Sequence, residues 1–199
     1  MGEPPDKQFL WDDDVELPRH EIDAQNGLML EKQRRFRLAA EYVAEAFSAV
    51  GAVRGVLLFG SVAAPLEKEI SCRHRFRRAG VEIYHECRDV DLAVRVDGLQ
   101  CLNALRNARA SALGRLLEDK GFGVAHHRVD VFVLDGESGL YRGRLCIFGR
   151  CPKGKFVCTA PGCGKPPFLQ QLEAFEFSGE ILARSPGEVL FERHGGGVF

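Results

Sequence analysis

The sequence predicts an α+β fold with two layers, in which helices pack on one face of a mixed β-sheet. Three runs of apolar and β-branched residues, 53–59, 87–96 and 128–134, have the length and composition of buried strands. Two longer segments, about 28–50 and 99–120, repeat apolar residues at three- and four-residue steps and are typical of amphipathic helices. Because strands and helices are interspersed along the chain, we expect one sheet covered by helices.

The overall composition is that of a globular protein. The 199 residues are 45% hydrophobic and 28% charged, with a net charge of −1. No apolar run approaches the ~18 residues of a membrane span, and the acidic start is the opposite of a secretion signal. Without an export signal, the seven cysteines are expected to be thiols or metal ligands rather than disulfides. We therefore expect a cytoplasmic protein with no membrane partner.

The first segment, residues 1–27, is expected to be an acidic extended arm. Residues 1–23 carry eight acids against Lys7 and Arg19, a local charge of −6. Few apolar residues interrupt this charge, so the segment has little surface to bury. The main domain is predicted at 28–135. It begins with the first helix, which Gly51 ends.

The central strand carries two carboxylates on one face. Side chains alternate along a strand, so Asp89 and Asp91 point the same way as Ala93. The opposite face is apolar: Val90, Leu92, Val94 and Val96. Neighbouring carboxylates repel one another unless a cation lies between them. The pair therefore indicates either a solvated acidic face on an edge strand or a cation site.

Two further features favour the cation site. Gly60-Ser61 follows the strand at 53–59, where a glycine lets the backbone approach a phosphate and a serine can donate its hydroxyl. Asp130 lies in the strand at 128–134 and supplies a third acid. Magnesium takes hard oxygen ligands, and two ions about 3.5–4 Å apart can hold the attacking and leaving oxygens of a phosphoryl group.

Over residues 30–135, this combination resembles the DNA polymerase beta-like nucleotidyltransferase superfamily. The resemblance implies that Gly60 and Ser61 bind the triphosphate of an NTP and that Asp89 and Asp91 bind two magnesium ions. It also implies that Asp130 joins the catalytic metal and assists activation of the acceptor. The expected enzyme transfers a nucleoside monophosphate to an acceptor hydroxyl on a protein, a small molecule or an RNA.

An insertion at about 62–88 separates the Gly-Ser turn from the acidic strand. It is longer than in compact members of the superfamily, and it contains four arginines within six residues: Arg73, Arg75, Arg77 and Arg78. Such a cluster is suited to phosphate or nucleic-acid contact. The alternative function is therefore an inactive nucleotidyltransferase fold that binds nucleic acid through this insertion and a basic cysteine-rich segment.

That basic segment, 136–167, is predicted to be a loop-rich module. Between 138 and 165 it has six basic side chains and no acid. Four of its cysteines are candidate zinc ligands with C-x4-C-x6-C-x4-C spacing: Cys146, Cys151, Cys158 and Cys163. A structural zinc ion would fold a segment that has few apolar residues, and the alternative is a loop with free thiols. The last segment, 168–199, is expected to pack on the main domain, with a hairpin around Pro186-Gly187.

Overall fold

The structure is a computed structural model that describes residues 17–147, 166, 168–170 and 187–193. The helices are α1 (Arg19–Ser48), α2 (His74–Arg78) and α3 (Leu102–Lys120). The strands are β1 (Val53–Phe59), β2 (Lys68–Ile70), β3 (Glu82–Tyr84), β4 (Val90–Val96), β5 (Val129–Asp135), β6 (Tyr141–Leu145), β7 (Leu169–Gln170) and β8 (Glu188–Glu192). None of the helices in these ranges is long and apolar enough to cross a membrane.

Helix α1 begins nine residues earlier than the sequence predicted. It follows Pro18 and includes residues 19–27, which were assigned to the extended arm. The reason is tertiary packing, because Gln25 and Asn26 are each only 8% exposed. Asn26 Oδ1 accepts a hydrogen bond of 2.8 Å from the backbone N–H of Tyr84 in β3. The predicted boundary at residue 27 is therefore wrong, and the rest of the arm, 1–16, lies outside the described residues.

The main sheet has six strands in the order β7-β6-β5-β4-β1-β8. The central pair β4 and β5 is parallel, and β1 is antiparallel to β4. Helix α3 connects β4 to β5, as a parallel pair requires a crossover. Gly121 ends α3 in the left-handed conformation with φ of 71°, which glycine adopts without strain. This mixed sheet with helices confirms the α+β class.

The two faces of the sheet differ. On one face, apolar side chains from α1 and α3 form the large core with Val56, Leu92 and Val131. The second face carries a smaller buried apolar group: Leu57, Phe59, Ala93, Phe132 and Leu134. In the described part of the chain, no helix side chain joins that second group. Both helices therefore lie on one face, as predicted.

Strands form in the insertion and also in the segment after residue 135, which was predicted to be loop-rich. Within the insertion, β2 and β3 form a two-stranded antiparallel ribbon, with the short helix α2 between them. The expected loop-rich module begins with strand β6, which pairs with β5. β8 pairs with β1, so this part of the C-terminal segment joins the sheet. The first half of the hairpin expected around Pro186-Gly187 lies outside the described residues.

Candidate active site

Two of the predicted acids are neighbours across the parallel strand pair. Asp91 of β4 is in register with Asp130 of β5. Both alternate with the core residues of their strands, so both lie on the face away from α1 and α3. Phe59, the last residue of β1, is in register with Asp91 on its other side. The pair therefore lies beside the Gly60-Ser61 turn.

The turn approaches Asp91 so closely that only glycine fits. Gly60 has φ of +74°, a conformation that side chains disfavour. A Cβ atom at this position would lie 2.7 Å from Asp91 Oδ2. After Gly60 the chain makes a single 3-10 turn, Gly60–Val62, and the next helix is α2. The small residue at position 60 therefore brings the turn against the carboxylate.

The remaining predicted acid, Asp89, lies one residue before β4 and is bound by an arginine. Arg128 Nη1 is 3.3 Å from Asp89 Oδ1 and also 3.3 Å from the carbonyl oxygen of Arg88. The Asp89 side chain is 38% exposed. The ion pair with Arg128 therefore balances part of the negative charge of the Asp89 carboxylate.

A second arginine reaches Asp130 from β6. Arg144 Nη1 donates a hydrogen bond of 2.8 Å to Asp130 Oδ2, and the two side chains are 28% and 17% exposed. The Arg144 Nε atom is buried and has no hydrogen-bond partner among the residues that the structure describes. The guanidinium is thus held in a partly desolvated position, where its charge acts strongly on nearby carboxylates.

The electrostatics of the acids follow from burial and mutual repulsion. Burial, with repulsion from Asp130 and Asp89, raises the pKa of Asp91 to about 6, against a weaker opposing effect of Arg144. Burial also raises the pKa of Asp130, although Arg144 and Arg109 favour its charged form. A nearby cation would therefore favour the ionised form of Asp91.

Two side chains, Gln33 and Cys87, donate hydrogen bonds to the carbonyls of the turn that begins at Gly60. Gln33 of α1 donates Nε2 hydrogen bonds of 3.0 Å to the Ser61 carbonyl and 2.6 Å to the Ala64 carbonyl. Cys87 Sγ donates to the same Ser61 carbonyl at 3.4 Å. Cys87 is 1% exposed, and burial raises the pKa of its thiol, so it stays protonated as a donor.

The acids present a limited set of ligands for magnesium. Among the described residues, no group of three or more His, Cys, Asp or Glu side chains is arranged to hold a metal ion. Magnesium is commonly held in proteins by one or two carboxylates, with substrate phosphates and water completing the shell. Asp91 and Asp130 fit that smaller donor set. The predicted second ion would need Asp89, which is paired with Arg128.

The other predicted groups are only partly described. Cys146 is a free thiol of intermediate exposure, and Cys151, Cys158 and Cys163 lie outside the described residues. In the insertion, Arg73 pairs with Glu86 at 3.2 Å and Arg75 pairs with Glu21 at 2.8 Å. Both arginines thus have acidic partners within the chain, while their side chains stay 44% and 59% exposed.

The sequence reasoning missed the groups that surround the acids. Gln33 lies on a helix and has no local pattern that marks it. Arg144 could have been found, because it shares a face with the acids if β6 pairs with β5. Arg109 is 1% exposed and donates hydrogen bonds to the Val129 and Cys146 carbonyls at 3.2 and 2.8 Å. Its buried charge favours the ionised form of Asp130.

The chain was also compared with known proteins. Neither family profiles nor curated proteins nor solved structures gave a match to this sequence or fold.

Proposed function

We propose that this protein is a nucleotidyltransferase that moves a nucleoside monophosphate from an NTP to an acceptor hydroxyl. The observation that carries the proposal is the placement of two in-register aspartates, Asp91 and Asp130, against a glycine turn that closely approaches one of them. A strand face has no structural use for two repelling, half-buried carboxylates. A polyphosphate with a divalent cation would supply the missing positive charge.

In the proposed reaction, the acceptor oxygen forms a bond to the α-phosphorus of the NTP. The bond between that phosphorus and the pyrophosphate breaks, and pyrophosphate leaves. The hydroxyl proton passes to a base, for which Asp130 is the candidate because it lies in register with Asp91 on the same face of the sheet. The turn at Gly60 and Ser61 would bind the triphosphate through backbone N–H groups and the serine hydroxyl.

Asp91 and Asp130 would hold magnesium in this scheme. When bound, the ion neutralises charge on the phosphoryl oxygens. Arg144 and Arg128 have a separate role, since their ion pairs limit the repulsion among the carboxylates in the absence of the ion. Phe132, on the same face as the acids, contributes apolar surface that lowers the local polarity.

The experiment is transfer of label from α-labelled NTPs to an acceptor in cell lysate, with magnesium present. Asp91→Asn and Asp130→Asn should each reduce transfer at least 100-fold, because the loss of one group that stabilises a transition state typically costs about that much in rate. Asp97→Asn is the matched control, because Asp97 pairs with Arg54 away from the turn, at 2.6 Å. The proposal fails if the wild-type protein transfers no label and no NTP with magnesium raises its melting temperature.

The alternative, an inactive fold that binds nucleic acid, gains little support from the insertion. The ion pairs of Arg73 and Arg75 leave these side chains partnered within the protein. Most of the basic segment that the alternative also requires, 136–167, lies outside the described residues, which include it only up to residue 147 and at residue 166. Binding of single-stranded RNA by the wild-type protein, with no loss in Asp91→Asn, would favour this alternative over the enzyme.

A further inference from the structure

Gln33 of helix α1 donates two hydrogen bonds to the Gly60–Ala64 turn, which is the Gly60-Ser61 turn together with the three residues that follow it. Its Nε2 group uses both hydrogens, one on the Ser61 carbonyl and one on the Ala64 carbonyl. Cys87 Sγ also donates to the Ser61 carbonyl at 3.4 Å, and within the turn the N–H groups of Ala63 and Ala64 donate to the Gly60 carbonyl at 3.1 and 3.3 Å. One side chain therefore fixes two carbonyls of the turn relative to the helix.

These bonds also fix the direction of a peptide group. The C=O and N–H of a trans peptide point in opposite directions. Gln33 and Cys87 hold the Ser61 carbonyl toward their own side chains, so the Val62 N–H points the opposite way. A carbonyl oxygen would repel a phosphate, whereas an N–H group attracts one. The orientation of the turn thus decides which of the two a bound polyphosphate meets.

We propose that Gln33 is a positioning residue, which orients the Gly60–Ala64 turn so that a nucleoside triphosphate meets N–H groups rather than carbonyl oxygens. This inference rests on the proposed function and names a residue that acts on the nucleotide through the turn. Gln33 itself contacts the side of the turn that faces α1. Its contribution is to nucleotide affinity and not to the chemistry of transfer.

The test compares three variants at position 33. Gln33→Met keeps the length of the side chain but removes both hydrogen bonds. Gln33→Lys restores at least two donors, and Gln33→Glu presents a carboxylate to the two carbonyls. Arg34→Met is the matched control, because Arg34 is 77% exposed and pairs with Glu31 on the outer side of α1. Each variant is measured as the full chain.

The affinity is measured by calorimetric titration with a magnesium NTP, using whichever of ATP, GTP, CTP or UTP most raises the wild-type melting temperature. We expect Gln33→Met and Gln33→Glu to weaken binding about 10-fold or more, as the loss of two hydrogen bonds implies. Gln33→Lys should recover most of the affinity, and Arg34→Met should remain within about twofold of wild type. The amides of Ala63 and Ala64 should exchange faster with solvent in Gln33→Met.

The outcomes separate this inference from the proposed function. If the wild-type protein binds none of the four nucleotides with magnesium, the proposed function fails and this inference fails with it. If the wild type binds and Gln33→Met binds equally well, the proposed function stands and only the role of Gln33 is overturned. Where Gln33→Met does not fold, the comparison of Gln33→Lys with Gln33→Glu decides, and equal affinities would overturn the role.

Discussion

Asp91 and Asp130 lie directly opposite each other on neighbouring parallel strands, with their side chains on the same face of the sheet. In a parallel pair, residues in register on one face are close enough for their charges to act on each other across the ladder. The repulsion between these two is part of the reason that the pKa of Asp91 rises to about 6. The consequences can be measured without knowing any substrate.

The first prediction is that Asp91→Asn stabilises the protein in a pH-dependent way. The folded protein holds the Asp91 proton up to about pH 6, whereas the unfolded chain loses it near the ordinary value of 3.8. The wild type therefore loses stability as the pH rises from about 4 to 6, and the variant does not. Above pH 6 the variant should be more stable by on the order of 2–3 kcal/mol, measured by urea denaturation.

Asp135→Asn is a control, because it should change the stability of the protein in the opposite direction. Hydrogen bonds from the Ser138 backbone N–H and hydroxyl lower the pKa of Asp135 below its ordinary value. Its ionised form therefore adds stability above its unfolded pKa, and this is lost as the pH falls through the folded pKa. The variant should be less stable at neutral pH, with the difference closing in acid. An Asp91→Asn curve parallel to that of the wild type would contradict the first prediction.

The second prediction concerns Gly60→Ala, which should destabilise the protein by about 1–3 kcal/mol. One part of the effect is the positive φ of 74°, and the other is the approach of the new Cβ to Asp91 Oδ2 at 2.7 Å. Adding Asp91→Ala should relieve the second part only. A double-mutant cycle by urea denaturation should therefore show coupling of about 0.5 kcal/mol or more. Strict additivity would mean that the turn moves away from Asp91 in solution.

The third prediction is that Arg144→Met raises the pKa values of both Asp130 and Asp91. Arg144 favours the charged form of each carboxylate, most directly through its hydrogen bond to Asp130. Carboxyl carbon chemical shifts measured by NMR across the acid range would report both titrations. Arg142→Met is the control, because Arg142 is exposed and its charge favours the ionised form of Asp135 instead. Equal shifts in both variants would show that the effect is only one of net charge.

The fourth prediction is that the protein binds about one zinc ion per chain through Cys146, Cys151, Cys158 and Cys163. Their spacing in a segment with few apolar residues motivates it. Metal analysis of protein purified without chelator should show zinc. Replacing Cys158 with serine should lower the zinc content, whereas Cys72→Ser should not, because exposed Cys72 lies in the insertion. Less than about 0.1 zinc per chain would remove the prediction.

The strands and helices were predictable because each carries its own periodicity. Strand β1 was predicted at the bounds observed, and α3 was predicted to end before Gly121, where it does. The start of α1 was not predictable, because residues 19–27 are mostly polar. Their helical conformation depends on contacts such as the one between Asn26 and Tyr84, 58 residues apart. Local propensity contains no information of that kind.

The candidate site was predictable only in part. The parity of Asp91 along its strand could be read directly, and Asp130 required only the assumption of a second strand. The register that places the two side by side required the structure. Arg128 ends a 3-10 turn, His126–Arg128, where a strand had been predicted to begin, and Arg144 lies in a strand that the composition had assigned to a loop-rich segment. The sequence around Asp89 and Asp130 does not indicate these arginines, because only the tertiary fold brings them close.

The order of strands in the sheet has a consequence for how the protein is made. Strand β1 is translated well before its outer neighbour β8, which lies far downstream of it in the chain. Arg37 of α1 also forms an ion pair with Glu188, and Arg193 donates hydrogen bonds to the Val53 and Ser48 carbonyls. A nascent chain from which β8 has not yet emerged therefore presents β1 as an unpaired, apolar sheet edge, the kind of surface on which chains associate and chaperones act.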